Sequence, residues 1–161
     1  MVILWIDPGL ATVGFALIEK EQRKTRIIEY GVIETKNSCS TSERIFQIVR
    51  DLEQIIDLYK PTVCWMERLF FLRNVTNGID VAQARWAISL TLFERWIPLV
   101  EFTPLQVKQG ITWNGFAKKP QIQKALSLIF SLRNIPKPDD AADALAIAYL
   151  ASMKTGVNLR I

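Results

Sequence analysis

The sequence predicts an α/β fold in which helices flank a mixed five-stranded sheet. From residue 40 onward, apolar runs of strand length alternate with helical segments, and a helical crossover between two strands favours parallel pairing. The first run, Val2–Ile6, is apolar at every position, which predicts a central strand that is buried on both faces. We expect one domain over residues 1–154 and a loose tail over 155–161.

The first three strands of the chain are expected to be antiparallel neighbours in the sheet. A turn separates the first two apolar runs, and a charged loop over residues 20–24 separates the second from the third. A fourth strand follows the first helix, and a fifth follows the second. The predicted strands are Val2–Ile6, Phe15–Glu19, Arg26–Ile33, Thr62–Met66 and Pro98–Phe102.

Four helices are expected around the sheet. Ser40 and Glu43 have the spacing of a capping box, and apolar residues recur behind them at steps of three and four until Lys60-Pro61. Pro120 suits the first turn of another helix, and the Ala-rich last helix is expected to pack tightly against the sheet. The four helices are predicted over residues 40–59, 78–95, 120–130 and 138–151.

The second predicted helix carries more apolar residues than one core-facing stripe needs. They include Val81, Trp86, Ile88, Leu92 and Phe93. A helix that packs against the core on two sides is the favoured interpretation, and a dimer surface is the alternative.

Carboxylates stand at the ends of two predicted strands. Asp7 follows the first strand and Glu67 the fourth, which places both at the edge where open α/β sheets bind ligands. Asp7 could instead cap its own turn, a common use of Asp. The last helix adds Asp143, and its spacing allows either Asp139 or Asp140 on the same face. Acids in a first turn are also favoured by the helix dipole.

The composition restricts the chemistry of such a site. The chain has no His, which excludes Ser-His-Asp catalysis and the usual zinc sites, so a catalytic metal must be held by oxygen ligands. If the acids converge, their repulsion requires divalent cations, and two ions about 3.5–4 Å apart can act on a phosphodiester. The net charge of +4 permits a nucleic-acid partner.

The remaining features indicate a cytoplasmic protein. Cys39 and Cys64 do not have the spacing of a metal site and are interpreted as reduced thiols. The N-terminal apolar run is short and is followed by Asp7, unlike a secretion signal.

Several motifs follow one another across nearly the whole chain. They are Ile6-Asp7-Pro8-Gly9 with Gly14, Glu67 with Phe70 and Asn74, Gln83-Ala84-Arg85, Gln106-Val107-Lys108-Gln109, Lys119 with Gln121, and Asp140-Ala141-Ala142-Asp143-Ala144-Leu145-Ala146. In their order and similar spacing they resemble the RuvC crossover-junction endodeoxyribonucleases. The resemblance implies a ribonuclease H-like fold, a homodimer, and Mg²⁺-dependent resolution of Holliday junctions by paired nicks. It also implies cooperation with the RuvA and RuvB branch-migration proteins.

The same resemblance implies roles for particular residues. It makes Asp7, Glu67, Asp140 and Asp143 the ligands of two Mg²⁺ ions, for which Mn²⁺ would substitute, and it favours Asp140 over Asp139.

Basic and aromatic positions of the family also have counterparts here. Lys108 and Lys119 fall on the basic positions beside the scissile phosphate, where they would offset developing charge. Phe70 falls on the aromatic that stacks on an unpaired base, although it or Phe71 could be a core residue. The DNA-binding residues implied are Phe70, Arg73, Asn74, Lys108, Lys118 and Lys119.

The chain departs from the family pattern at two places. Val13-Gly14-Phe15-Ala16 stands where Thr-Gly-x-Gly is more common, and Trp86 replaces the small Gly that usually follows Arg85. The second departure bears on the packing of the helix and on dimer geometry.

Three other interpretations fit the sequence less well. A kinase of the actin or sugar-kinase type also begins with a strand and Asp-x-Gly, but it needs two such domains and this chain is too short. A single-domain nuclease of the same fold that acts on RNA or on processed ends would not require the Phe70 region or the match through Lys119. A junction-binding protein without catalysis would be expected to have lost one of the acids.

Overall fold

The computed structural model describes the sheet and the helices packed on one of its faces. It describes residues 1–21, 24–68, 75–103, 118, 120, 121, 124, 125 and 128, with residues 75–77 described by backbone alone. The elements are β1 (Val2–Asp7), β2 (Thr12–Glu21), β3 (Lys24–Glu34), α1 (Thr41–Tyr59), β4 (Val63–Glu67), α2 (Val75–Glu94) and β5 (Leu99–Phe102).

The five strands form one mixed sheet in the order β3-β2-β1-β4-β5. β1, β2 and β3 are antiparallel neighbours, whereas β4 is parallel to β1 and β5 is parallel to β4. Each parallel pair is joined through a helix, α1 or α2, because parallel neighbours need a long crossover. The predicted mixed five-stranded sheet is therefore confirmed, with β1 at its centre.

The hairpin between β2 and β3 is longer than the sequence indicated. The prediction of a loop over residues 20–24 is wrong at both ends, since Lys20 pairs with Thr25 and Glu21 with Lys24. The ladder can continue past the apolar run because its hydrogen bonds join backbone groups and do not require apolar side chains. An ion pair between Arg26 and Glu19, 2.6 Å from Nη2 to Oε2, lies across this extension.

The helices α1 and α2 cover one face of the sheet. Their inward residues pack against side chains from β1, β2, β3 and β4 in a single apolar cluster. Its buried members are Leu4, Ile6, Leu10, Val13, Leu17, Ile33, Ile48, Leu52, Ile56, Cys64, Met66, Ala84, Ile88, Leu92 and Ile97.

The opposite face of the sheet is apolar and buried as well. Ile3 and Trp5 of β1 alternate with the first set and are fully buried, as are Ala16 and Ile18 of β2. This burial on both faces confirms the interpretation of the continuous run Val2–Ile6.

Local capping signals of α1 appear as predicted. The Ser40 side chain accepts a hydrogen bond from the Glu43 backbone N–H, and the Glu43 carboxylate accepts one from the Ser40 N–H at 2.8 Å. At the other end, Lys60 adopts a left-handed backbone with φ of 47° and donates its N–H to the Ile56 carbonyl. Pro61 follows and cannot continue the helix.

The favoured interpretation of α2 as a helix buried on two sides is wrong. Ala84, Ile88 and Leu92 face the core, but Trp86 and Phe93 remain 76% and 73% exposed. The sheet offers α2 one surface beside α1, so the remaining apolar residues face outward. The helix also begins at Val75, one turn before the predicted Gly78.

Both cysteines lie within the described residues. Cys39 and Cys64 are free cysteines, and burial raises the pKa of the Cys64 thiol well above its ordinary value. Neither described helix is long and apolar enough to cross a membrane.

The C-terminal predictions fall mostly outside the described residues. Pro120, Gln121, Lys124, Ala125 and Leu128 have helical backbone, as predicted from Pro120 onward. The helix over 138–151, the end of the domain at 154 and the tail over 155–161 lie outside the described residues.

We predict that Ser40→Ala lowers the free energy of unfolding by about 1 kcal/mol, since it removes the acceptor that caps α1. Urea denaturation followed by circular dichroism measures this change. Ser42→Ala is the matched control, because it lies in the same turn of α1 without the capping role and Ala is a good helix former. Equal losses for both variants would contradict the capping role.

Candidate active site

Asp7 is the last residue of β1, at the centre of the sheet. It pairs with Gly14 of β2, and its side chain is partly buried. The four residues before it, Ile3 to Ile6, are fully buried, so the strand delivers this carboxylate to the rim of the core. The turn interpretation and the ligand interpretation of Asp7 are both compatible with this position.

Glu67 occupies the equivalent position on the neighbouring parallel strand. The β1–β4 register runs from Ile3 opposite Val63 to Ile6 opposite Met66, so Asp7 and Glu67 are the next residues on each strand. Neighbouring strands lie about 4.8 Å apart, and residues at the same level of a parallel pair point to the same face. The structure thus places both residues at the same edge of the sheet, and their joint role in one site stays a prediction.

Aromatic residues lie on the same face, directly behind the two carboxylates. Trp5 and Trp65 are paired on β1 and β4, two residues before Asp7 and Glu67. The Phe102 ring lies 4.0 Å from Trp65 and 5.8 Å from Trp5, between ring centroids. Neither indole N–H has an acceptor within the described part of the chain. The two acids thus stand at the border of an apolar layer.

This border makes a pair of negative charges costly unless a cation joins them. Burial next to apolar groups disfavours the ionised form of a carboxyl group, and a second carboxylate disfavours it further. Carboxylate oxygens are the ligands that Mg²⁺ and Mn²⁺ prefer. The donor set formed by Asp7 and Glu67 therefore fits part of a site for a hard divalent cation.

The turn after Asp7 is held by close backbone contacts. A Cβ atom at Gly9 would lie 2.3 Å from the carbonyl oxygen of Thr12, so any other residue here would force the backbone of the turn to move. Thr35 anchors the turn from β3's end, since its N–H donates to the Ala11 carbonyl at 3.0 Å and its hydroxyl to the Leu10 carbonyl at 2.6 Å. Sequence reasoning recognised Gly9 as a turn residue, and the structure supplies the steric reason.

An arginine on α2 contacts the end of β4. The Arg85 Nη1 donates to the backbone carbonyl oxygen of Glu67 at 2.5 Å, and its Nη2 pairs with the Glu101 carboxylate of β5. Sequence reasoning placed Arg85 in a family motif but gave it no role. A role could have been inferred from the position of this positively charged side chain on the side of an apolar helix that faces the sheet.

Other predicted site residues lie outside the described residues. The structure therefore neither joins them to Asp7 and Glu67 nor separates them. They are Phe70, Arg73, Asn74, Lys108, Lys119, Asp140 and Asp143.

Lys118 is described, and it is exposed with its backbone N–H bound to the Gln121 side chain at 2.8 Å. In the described ranges, no three His, Cys, Asp or Glu side chains lie close enough to bind a metal, and two of the four predicted ligands fall outside those ranges.

The sequence matches known nucleases over most of its length. A family profile described as "Crossover junction endodeoxyribonuclease RuvC" matches residues 3–150. A protein of that name from Halothermothrix orenii is 47% identical over 148 residues, which cover 92% of this chain and 90% of the relative. Another from Petrotoga mobilis is 44% identical over 149 residues, covering 92% and 91%.

The fold is similar to that of solved RuvC structures. Thermus thermophilus RuvC aligns with a TM-score of 0.87 at 28% identity, covering 97% of this chain and 96% of that one. The T. thermophilus RuvC in complex with Holliday junction substrate aligns at 0.89 and 29%, covering 96% and 97%. The yeast mitochondrial resolvase Ydc2 aligns at 0.66 and 15%, covering 95% and 82%, which supports the fold alone.

We predict that Gly9→Ala lowers the free energy of unfolding by about 1–3 kcal/mol, because the added methyl forces the backbone of the turn after Asp7 to move. Chemical denaturation measures this loss. Gly31→Ala is the matched control: its Cβ would meet the Phe15 ring at 3.2 Å, and a side chain can give way more easily than a backbone carbonyl. A smaller loss for Gly9→Ala than for Gly31→Ala would contradict the steric argument.

Proposed function

Because this chain belongs to the RuvC family of crossover junction endodeoxyribonucleases, we propose that it resolves Holliday junctions by paired, symmetric nicks in the DNA. The observation that carries this proposal is the pair of carboxylates at the carboxyl ends of β1 and β4. It stands on a fold that aligns with a RuvC bound to a Holliday junction over 96% of this chain.

We propose that Asp7, Glu67, Asp140 and Asp143 hold two Mg²⁺ ions, with Mn²⁺ as a substitute. Asp7 and Glu67 support this through their shared edge and their oxygen donors. Two carboxylates form an incomplete donor set for such ions, so further acids are needed, and the Asp140–Asp143 motif offers them. When bound, such ions supply an activated water and stabilise the departing oxygen of a phosphodiester.

The protein's own residues perform the remaining tasks. Asp7 and Glu67 hold negative charge at the rim of the apolar layer. This layer keeps bulk water away from one side of the site. Lys108 and Lys119 are proposed to offset negative charge on the scissile phosphate, and Phe70 to stack on an unpaired base.

The charge distribution supports a DNA substrate. The chain carries a net charge of +4 although several acids are assigned to the site, so the rest of the surface is more basic than the total suggests. Arg73, Asn74 and Lys118 are proposed to contact DNA beside this site. Binding to phosphates releases counterions, so affinity for a junction should fall steeply as salt rises.

We propose that the enzyme is a homodimer and that α2 supplies the contact. Ile79, Trp86, Leu90 and Phe93 are exposed and follow steps of seven, four and three residues, and we name them the α2 stripe. Such steps place side chains along one helix edge, as in packed helix pairs. The Trp96 ring stacks with Phe93 at 6.3 Å between centroids and extends the apolar surface.

A second copy is the partner that best fits this stripe. Paired nicks at a four-way junction require two active sites, and a two-fold axis presents the same surface from both copies. The enzyme is proposed to act in the cytoplasm with the RuvA and RuvB branch-migration proteins.

We predict that Asp7→Asn lowers the rate of Mg²⁺-dependent junction cleavage by more than about 100-fold, because even residues that merely orient a metal ligand contribute about 10–100-fold. Nicking of a labelled synthetic four-way junction measures this rate. Binding of the junction in EDTA should persist, since the variant keeps the basic surface. Asp51→Asn, a carboxylate of α1 away from the sheet edge, is the control.

The same assay tests the substrate. Symmetric nicks confined to the junction support the proposal. Cleavage of an RNA–DNA hybrid instead would assign the site to a different nuclease activity. Full cleavage by Asp7→Asn would remove this residue from the metal site.

We predict that Phe93→Ser raises the dimer Kd about 100-fold, because two symmetry-related Phe side chains each lose about 1.5 kcal/mol of burial. Analytical ultracentrifugation measures this Kd. Phe46→Ser is the matched control, since Phe46 of α1 is 67% exposed and lies off the α2 stripe. Equal dimer affinities for the two variants would exclude the α2 stripe as the contact.

A further inference from the structure

Arg85 joins the helix α2 to two strands at the edge that carries the candidate active site. Its Nη1 donates to the Glu67 carbonyl oxygen at 2.5 Å, and its Nη2 pairs with the Glu101 carboxylate. These partners are 18 and 16 residues away in sequence, on β4 and β5. One guanidinium thus bridges the ends of two neighbouring parallel strands.

The side chain of Arg85 is largely buried beside charged groups. Its side chain is 14% exposed, and burial, together with the like charge of Arg68, lowers the pKa of the guanidinium. An arginine still keeps its proton at neutral pH, so the cation needs the Glu101 carboxylate as a counter-charge. The planar fork of the guanidinium allows two partners to be held in fixed directions.

The contact with Glu67 lies just beyond the end of the β1–β4 ladder, at the last pair of the β4–β5 ladder, Glu67 opposite Phe102. The register between β1 and β4 ends at Ile6 opposite Met66, one residue before Glu67. On the other side, the Arg68 N–H donates to the Phe102 carbonyl at 2.6 Å. A partly buried carbonyl needs a donor, and Arg85 supplies it for Glu67 from the helix layer.

We propose that Arg85 is a positioning residue that fixes the backbone of Glu67 and so directs the Glu67 carboxylate towards Asp7. This inference rests on the proposed function, in which Glu67 is a metal ligand. The role proposed for Arg85 requires no contact with the substrate or the metal. It acts through the carbonyl of the residue whose side chain does, while Glu101 holds the guanidinium in its orientation.

The consequence is a defect in metal affinity that is separate from DNA binding and folding. Arg85→Gln should raise the half-saturating Mg²⁺ concentration for junction cleavage by about 10–100-fold, the range typical of residues that orient metal ligands. Arg85→Lys keeps the charge but loses the two-pronged geometry, so it should also raise this concentration, by at least about threefold.

The experiment measures Mg²⁺ dependence of cleavage and, without DNA, the Mn²⁺-induced rise in Tm. Junction binding in EDTA and the dimer Kd are measured for the same proteins. The matched control is Arg95→Gln. Arg95 follows α2 and ties it to α1, with Nη1 2.6 Å from Asp57 Oδ1 and Nη2 3.3 Å from Glu53 Oε1. It therefore anchors the same helix away from the sheet edge.

The expected result is a raised Mg²⁺ requirement and a weaker Mn²⁺-induced shift for both Arg85 variants, with Arg95→Gln unchanged in both. Equal effects of Arg95→Gln and Arg85→Gln would overturn the inference, because loosening of α2 would then suffice. A normal metal requirement in Arg85→Lys would also overturn it, since charge alone would then explain the bridge.

Glu67→Gln separates this inference from the proposed function. If Glu67→Gln abolishes cleavage and Arg85→Gln keeps the unsubstituted metal requirement, the role of Arg85 is overturned and the proposed function stands. If Glu67→Gln cleaves normally, the assignment of Glu67 fails and the role of Arg85 fails with it.

Discussion

The parallel pairing of β1 with β4 is the constraint on which the rest of the structure depends. Its register brings the last residues of the two strands, Asp7 and Glu67, to one edge and to one face. The pairing requires a crossover, which α1 provides, and α1 together with α2 forms the layer that buries one side of the sheet. A shift of one residue in this register would turn one carboxylate to the opposite face.

The alternation of side chains along β1 and β4 also determines which residues lie next to the two acids. Trp5 and Trp65 precede them by two residues and share their face, so the site borders a buried aromatic layer. Charges at such a border interact more strongly than charges in water, and a divalent cation is the counter-ion that two carboxylates attract. The same two strands therefore place both the apolar layer and the two carboxylates.

Helix α2 packs against the core with one side and is exposed on the other. Its inward side carries Ala84, Ile88 and Leu92 into the core and Arg85 to the sheet edge, while Trp86 and Phe93 face outward. In the proposed dimer, one rigid helix would link the subunit contact with the backbone of Glu67. Trp86 lies on the outward side and adds to the exposed apolar surface of the helix.

The sequence alone determined features that act over a few residues: the capping box of α1, the turn at Gly9, and the strands that end on Asp7 and Glu67. The structure shows where Asp7 and Glu67 lie, and the role of all four acids, Asp140 and Asp143 included, as metal ligands stays a prediction. Tertiary structure decided the length of the β2–β3 hairpin, the exposure of the α2 stripe and the bridge from Arg85. These features depend on which surfaces meet after folding. The periodicity of apolar residues along a helix does not show whether those residues pack against the core of the same chain or against a partner protein.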